Sequence, residues 1–225
     1  MISVIIPALN EARALPATLA ALASQDGEWE ALLVDGGSDD DTLAIAAKYA
    51  QLHCLSAKRG RGAQMNAGAK QAQGELLLFL HADTLLPDGA ISRLNQLESD
   101  PSFSSGGFSH RFSGRHPALG FVSRLHNFRC RMTRVFYGDQ AMVVRRSVFE
   151  QLGGFPEDGL LEDIRLSEQL REQGEPRIFA EEIITDSRKF EQMGPWKSLF
   201  RCLAILISYE LRLPLLGRKF FAPIR

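Results

Sequence analysis

Cysteine is scarce. The 225 residues hold three, Cys54, Cys130 and Cys202, far apart and in no metal-like spacing. That excludes a disulfide framework, and an odd, scattered set of thiols points to a reducing, cytoplasmic setting. Long apolar runs are missing too: no uncharged stretch approaches the ~18 residues that a membrane span requires. The opening residues, MISVIIPALNE, lack a basic start and reach Pro7 too early for a secretory leader. Net charge is nearly absent, at −1, so global charge gives no reason to expect a nucleic-acid partner. There is no Gly-Lys-Ser/Thr of a Walker A loop, no internal repeat, no low-complexity tract and no linker. What remains is an ordinary globular composition, 45% hydrophobic and 24% charged, with length enough for a full core. One domain over 1–225 is expected.

The charge that is present is unevenly placed. Residues 1–100 hold seven Lys/Arg against thirteen Asp/Glu, a net of −6, which leaves +5 for the rest. Between Pro101 and Gly138 there is no acidic residue, but six Arg and three His. Such a stretch is either a solvated basic face or a surface that meets anionic substrate or lipid headgroups.

Two periodicities alternate through the first hundred residues. Ile2–Pro7, Glu30–Asp35, Leu52–Ser56 and Leu76–Leu80 read as strands, and Leu15–Ser24, Thr42–Tyr49 and Ala63–Gln71 as helices. Near-continuous apolar strands separated by helices indicate an α/β fold: a Rossmann-like, mostly parallel central sheet with helices on both faces. The second half is less regular, with strands at Ser105–Phe112 and Ala141–Val144, a helix near Leu119–Met132, and a helix at Glu162–Gln173 stopped by Gly174.

In an open parallel sheet, ligands bind beyond the carboxyl ends of the strands. The first strand ends in Pro7-Ala8-Leu9-Asn10-Glu11, the second in Asp35-Gly36-Gly37-Ser38-Asp39, and the fourth in His81-Ala82-Asp83. Each ending alone is ordinary turn chemistry, but together they gather polar groups at one sheet edge. Between the third and fourth strands, Arg59 and Arg61 alternate with Gly60 and Gly62 just before a helix. Glycines let backbone approach an oxyanion, a helix start favours negative charge, and arginine grips phosphate in bidentate fashion. A phosphate-bearing ligand follows. The glycine spacing does not match a dinucleotide fingerprint.

The stretches SVIIPALNE, LLVDGGSDDDT, GRGAQMNAG and LLLFLHADT, in this order, resemble the nucleotide-sugar-binding half of family 2 glycosyltransferases with the GT-A fold. Over roughly 1–190 the likeness holds, and FLHADT looks most like short bacterial transferases grouped with arsenosugar biosynthesis. The resemblance implies a nucleotide-sugar-binding half at 1–100, an acceptor half at 101–190 and a C-terminal helical extension at 191–225. It implies a nucleotide-diphosphate donor, with a UDP-sugar expected as the family's commonest donor. Pro7, Ala8 and Leu9 would line the base pocket, Asp35 would meet the nucleobase, and Glu11 would lie near the ribose. Arg61 and Asn66 would approach the diphosphate, with Arg188 as a second phosphate contact. His81-Ala82-Asp83 stands where the family carries Asp-x-Asp, so Asp83 would hold Mn²⁺ or Mg²⁺. His81 departs from that pattern and is left as metal ligand, ribose contact or strand end.

Transfer with inversion needs a base for the acceptor hydroxyl. By resemblance, the pair after GGF supplies it: Asp163 as base, with Glu162 supporting the site or the acceptor. A helix start would make Asp163 a weak base, since it favours the ionised carboxylate. A nucleotidyltransferase, or a nucleotide-sugar-binding module without transfer, stand as alternatives. The segment Trp196–Leu213, bounded by Pro214, reads as an amphipathic helix with Leu199, Leu203, Leu206 and Ile207 near one face. From Arg188 to Arg225 there are eight Lys/Arg against two Glu. That helix is expected to make either peripheral contact with the inner membrane face, suiting a lipid-linked acceptor, or a core or homodimer contact.

Overall fold

The computed structural model describes residues 1–157 and 161–210. Its first part runs β1 (Ile2–Ala8), α1 (Leu15–Ala23), β2 (Trp29–Asp35), α2 (Thr42–Ala46), β3 (Leu52–Ser56), α3 (Arg61–Gln71) and β4 (Leu76–Phe79). Then follow β5 (Thr84–Leu85), α4 (Ala90–Glu98), β6 (Ser105–Phe112), α5 (Pro117–Thr133), a 3-10 turn (Gly138–Gln140), β7 (Met142–Arg145) and α6 (Arg146–Gln151). The last described part holds α7 (Glu162–Glu172), β8 (Arg177–Thr185), α8 (Arg188–Met193) and α9 (Pro195–Glu210).

All eight strands join one sheet in the order β3-β2-β1-β4-β7-β6-β8-β5. β1 pairs in parallel with β2 and β4, and β2 with β3. β7 runs antiparallel to both β4 and β6, and β5 antiparallel to β8, while β6 and β8 are parallel. The sheet is therefore mostly parallel with two reversed strands, as its near-continuous apolar segments require.

The strand period of two divides the core. Ile2, Val4, Ile6 and Ala8 meet Leu15, Leu19 and Leu22 of α1 and Ile91 and Leu94 of α4 on one face. Ile5, Leu32, Val34, Leu77 and Phe79 meet Met65 and Ala69 of α3 and Leu166 and Leu170 of α7 on the other. Each such side chain contributes about 1.5–3 kcal/mol on burial. Leu166 and Leu170 stand one turn apart on α7, which is how that helix is seated.

One expectation changes and one lies outside the described residues. The helix of the last segment extends at least to Glu210; its expected end at Leu213, and Pro214, lie outside the described residues. Leu199 and Ile207 do not share a face: Leu199 and Ile205 are buried, whereas Ile207 is 55% exposed. Eight residues advance a helix by 80° beyond two turns, enough to carry Ile207 off the packed side.

Gly68 sets how close α3 lies to the sheet. A Cβ there would come within 2.5 Å of Ile5 Cγ2 and 3.0 Å of Val34 Cγ2. In an open helix, Gly→Ala gains about 1 kcal/mol; here overpacking opposes it with about 1–3 kcal/mol. Gly68→Ala is expected to lower stability, read as a reduced urea midpoint with an unchanged slope. An unchanged or higher midpoint would show that the helix can move away freely.

Candidate active site

A cleft of about 230 Å³ opens where β4 ends, between the Gly138–Gln140 turn, the start of α7 and the two last helices. Arg61, His81, Asp83, Glu162 and Asp163 all line it, with Tyr137, Asp139, Lys189, Phe190 and Ile205. Five residues singled out in the sequence thus meet at one place although they lie up to 102 positions apart.

Asp163 is fixed at both oxygens. The Gly138 N–H donates to Oδ2 at 2.6 Å, and the Ile164 N–H to Oδ1 at 2.9 Å. Burial pushes its pKa up, the neighbouring charge of Glu162 pushes it further, and the Gly138 N–H and Arg61 oppose without reversing the shift. The weak base expected at a helix start is therefore not what the site contains. Desolvation outweighs the helix terminus, and the carboxyl is more basic than a free aspartate.

His81 lies against the Gly138 backbone. Burial, then the charges of Arg61 and Lys189 on either side of the opposing pull of Asp139, hold its pKa down to about 3. The imidazole is thus neutral. Arg61 begins α3, after Gly60 at φ +144°. Gly62 packs so tightly that a Cβ would stand 2.8 Å from the Pro156 carbonyl oxygen and 3.6 Å from Glu162 Cβ. The first turn of α3 is thereby set beside the Glu162-Asp163 pair.

Lys189 joins the carboxylates. Its Nζ lies 2.9 Å from Glu11 Oε1 and 3.7 Å from Asp83 Oδ2. Arg188, the expected phosphate contact, is instead paired with Asp186 at 3.4 Å and Glu11 at 4.0 Å and does not line the cleft. Of the two adjacent cations, the short helix α8 turns Lys189 toward the cleft.

The remaining expected donor contacts lie off this cleft. Asn66 donates to the Phe155 carbonyl at 2.8 Å and to Glu157 Oε1 at 2.9 Å, and accepts from the Phe155 N–H at 2.8 Å. Its amide ties down the loop that leads to α7, and the side chain does not line the cleft. Asp35, 3% exposed, accepts from the N–H groups of Gly37 and Ser38 and from the Ser38 hydroxyl. It shapes its own turn. Pro7, Ala8 and Leu9 lie at the end of β1 and around it, where Gln64 Nε2 bridges the carbonyls of Ala8 and Val34, each at 2.8 Å. The buried Ala82 carbonyl accepts from the Thr18 hydroxyl at 2.8 Å.

Sequence reading missed Tyr137 and Lys189, whereas Gly138-Asp139-Gln140 before its strand reads as a candidate shaper of the acceptor pocket. Tyr137 faces the cleft with the Arg129 guanidinium 3.6 Å from its ring centroid, and burial raises its phenol, which stays protonated. Asp139 lies between His110 and His126, 3.7 and 3.6 Å from their Nε2 atoms. Gly-Asp-Gln before a strand was the available signal, but nothing local marks which neighbours it finds.

Among the described residues no three His, Cys, Asp or Glu are grouped to cage a metal ion. A divalent ion that bridges a diphosphate takes most ligands from phosphate oxygens and water and needs one or two carboxylates. Asp83, a hard oxygen donor facing the cleft, fits that demand. His81, neutral and lining the same cleft, is not placed in such a group.

The model of glycosyl transferase family 2 matches residues 3–153. The chain belongs to that family. A PGL/p-HBAD biosynthesis glycosyltransferase of Mycobacterium tuberculosis (strain ATCC 25618 / H37Rv) is 45% identical over 94 residues, covering 38% of this chain and 36% of that relative. An uncharacterized glycosyltransferase of the same strain is 32% identical over 93 residues, 41% of each chain. The chain thus spans about two-fifths or less of these curated relatives. Among solved structures, the mannosyltransferase PcManGT of Pyrobaculum calidifontis in complex with GDP-Man and Mn²⁺ aligns with a TM-score of 0.66 at 22% identity, over 99% of this chain and 67% of that one. S. aureus TarS 1-349 in complex with UDP gives 0.66 at 21%, over 97% and 67%. These likenesses show the fold, that of GT-A glycosyltransferases.

Gly138 is the tightest contact in the cleft. A Cβ there would lie 2.6 Å from His81 Nε2, 2.7 Å from His81 Cε1 and 3.4 Å from Asp163 Oδ2. Gly138→Ala is expected to lower sugar transfer by about 10²-fold, the scale for misplacing a reacting group by an ångström. The His81 ring must shift to make room, so a loss of stability of about 1–3 kcal/mol is expected alongside. Wild-type turnover in a folded variant would show that the contact is not needed.

Proposed function

We propose that this chain transfers a sugar from a nucleoside-diphosphate donor to an acceptor hydroxyl, with inversion and with Asp163 as the general base. The observation that carries the reading is the meeting of a carboxyl of raised pKa with Arg61, Lys189 and Asp83 in one cleft. A module that merely binds its ligand has no use for such a base, nor does the arrangement favour nucleotidyl transfer.

In this reading, an Asp163 oxygen takes the acceptor proton as the hydroxyl oxygen attacks the anomeric carbon from the face opposite the diphosphate. The bond from that carbon to the diphosphate oxygen breaks, and the nucleoside diphosphate leaves. Arg61 and Lys189 supply fixed positive charge where the leaving group gathers negative charge. Asp83 would hold Mn²⁺ or Mg²⁺, which offsets charge on the diphosphate when bound. Glu162, 3% exposed beside Asp163, keeps the base basic and helps hold the acceptor. UDP-sugars are the first donors to test, since TarS 1-349 also has a complex with UDP-GlcNAc; GDP-Man, bound by PcManGT, is the second. The free thiols of Cys54, Cys130 and Cys202 support a reducing, cytoplasmic site of action.

Asp163→Asn should retain donor binding and lose about 10²–10⁴-fold in turnover. In the parent, the base works only when ionised, so transfer should decline as pH falls through a pKa above the ordinary 3.8. Near-parental turnover in the variant would place the base elsewhere. Asp83→Ala should abolish the gain in donor affinity that Mn²⁺ provides, measured by titrating UDP-GlcNAc and GDP-Man with and without Mn²⁺. If the variant keeps the parent's metal-dependent gain, Asp83 is not the ligand.

A further inference from the structure

Among the described residues, large apolar side chains are exposed almost exclusively in one region. Among the described residues, α5 exposes Phe121 (52%), Leu125 (38%), Phe128 (62%) and Met132 (71%). Their spacing of four, three and four residues forms one continuous helical stripe. α9 exposes Trp196, Phe200 and Ile207 at spacings of four and seven. The helices adjoin, with the rings of Phe121 and Trp196 6.5 Å apart between centroids. Elsewhere, Leu43 is the one other large exposed apolar side chain among the described residues. Isolated apolar residues are normal on a surface, whereas a contiguous two-helix patch marks a docking site.

Charge selects the occupant. The exposed polar residues interleaved with the α5 stripe are Arg124 and Arg131, and Lys197 is exposed beside Trp196 on α9. No Asp or Glu occurs from Pro101 to Gly138. An isologous contact with a second copy would set this basic face against its own image. An anionic lipid surface complements it, taking the apolar stripe into the headgroup boundary and the arginines among phosphates. No described helix is long and apolar enough to cross a bilayer, so the mode is attachment to the surface.

We infer that the α5–α9 face docks on the surface of an anionic bilayer. α9 serves both sides of the arrangement: Cys202 and Ile205 line the cleft, while Trp196, Phe200 and Ile207 face out. Docking therefore sets the cleft wall next to the lipid. If the transferase reading holds, on which this clause alone rests, the acceptor hydroxyl is carried by a molecule anchored in that bilayer.

The test uses the full chain and sedimented vesicles, either pure phosphatidylcholine or with 30% phosphatidylglycerol (about a physiological anionic fraction), at low and high salt. Binding is expected with the anionic vesicles at low salt, weakening at high salt. The double variant Phe128→Glu with Phe200→Glu should lose it at least tenfold, as should Arg124→Glu with Arg131→Glu; Leu43→Glu should bind like the parent. All these side chains are exposed, so thermal midpoints should hold. Absence of binding at low salt, or binding indifferent to the patch variants, overturns the inference. So does a dimer in sedimentation velocity that the same variants dissociate while vesicles capture nothing. Donor turnover in solution is measured separately, so failure of the transferase reading leaves the vesicle result interpretable.

Discussion

The cleft depends on one place where a side chain is forbidden. At Gly138 the backbone N–H holds Asp163, and the space a Cβ would fill is taken by the His81 ring. Three segments meet there: the end of β4, the turn before β7 and the start of α7. None of them is a neighbour of another in sequence. Because β7 pairs antiparallel to β4, Met142 opposite Phe79, the turn before β7 is brought back over the carboxyl end of β4. The reversed strand is thus the device that carries residues of the second half to the carboxyl edge of the first-half strands.

The same packing decides the chemistry of the carboxylate. A helix N-terminus and two N–H donors stabilise the ionised form of Asp163, which alone would give a poor base. Burial and Glu162 act in the other direction and prevail. The outcome is a carboxylate held rigidly in one orientation yet more basic than in water. Arg61 moderates the shift, and it reaches the pair because Gly62 allows α3 to press against Pro156 and Glu162. Orientation and basicity are normally traded against each other; here they are set by different neighbours.

How legible this was depends on whether a feature is encoded locally. β1, β2, β3, β4 and β6 could be placed to within about one residue, because strands covered on both faces are apolar throughout and bounded by turn residues. β8 escaped, since its stretch RIFAEEIIT carries two exposed glutamates and matches neither period well. Which residues face the cleft was legible for His81, Asp83, Glu162 and Asp163, which sit at element ends. It was not legible for Asn66, whose role is decided by a loop 89 residues away, or for Lys189, whose direction depends on the short turn of α8. The face of α9 was misread for a related reason. Apolar residues run nearly all round that helix, so periodicity alone cannot say which side packs.

That all-round character becomes intelligible once both sides of α9 have a task. A helix that only closed the cleft would need an apolar stripe on the side of Leu199 and Ile205 and polar residues opposite. A helix at a dimer seam would need complementary charge nearby, which the acid-free stretch across α5 does not offer. If the other side faces lipid, as inferred above, apolar residues on both sides and cations at the margins are what the environment demands. The exposed cations of α5 and of the start of α9, Arg124, Arg131 and Lys197, then have a purpose beside the apolar stripes.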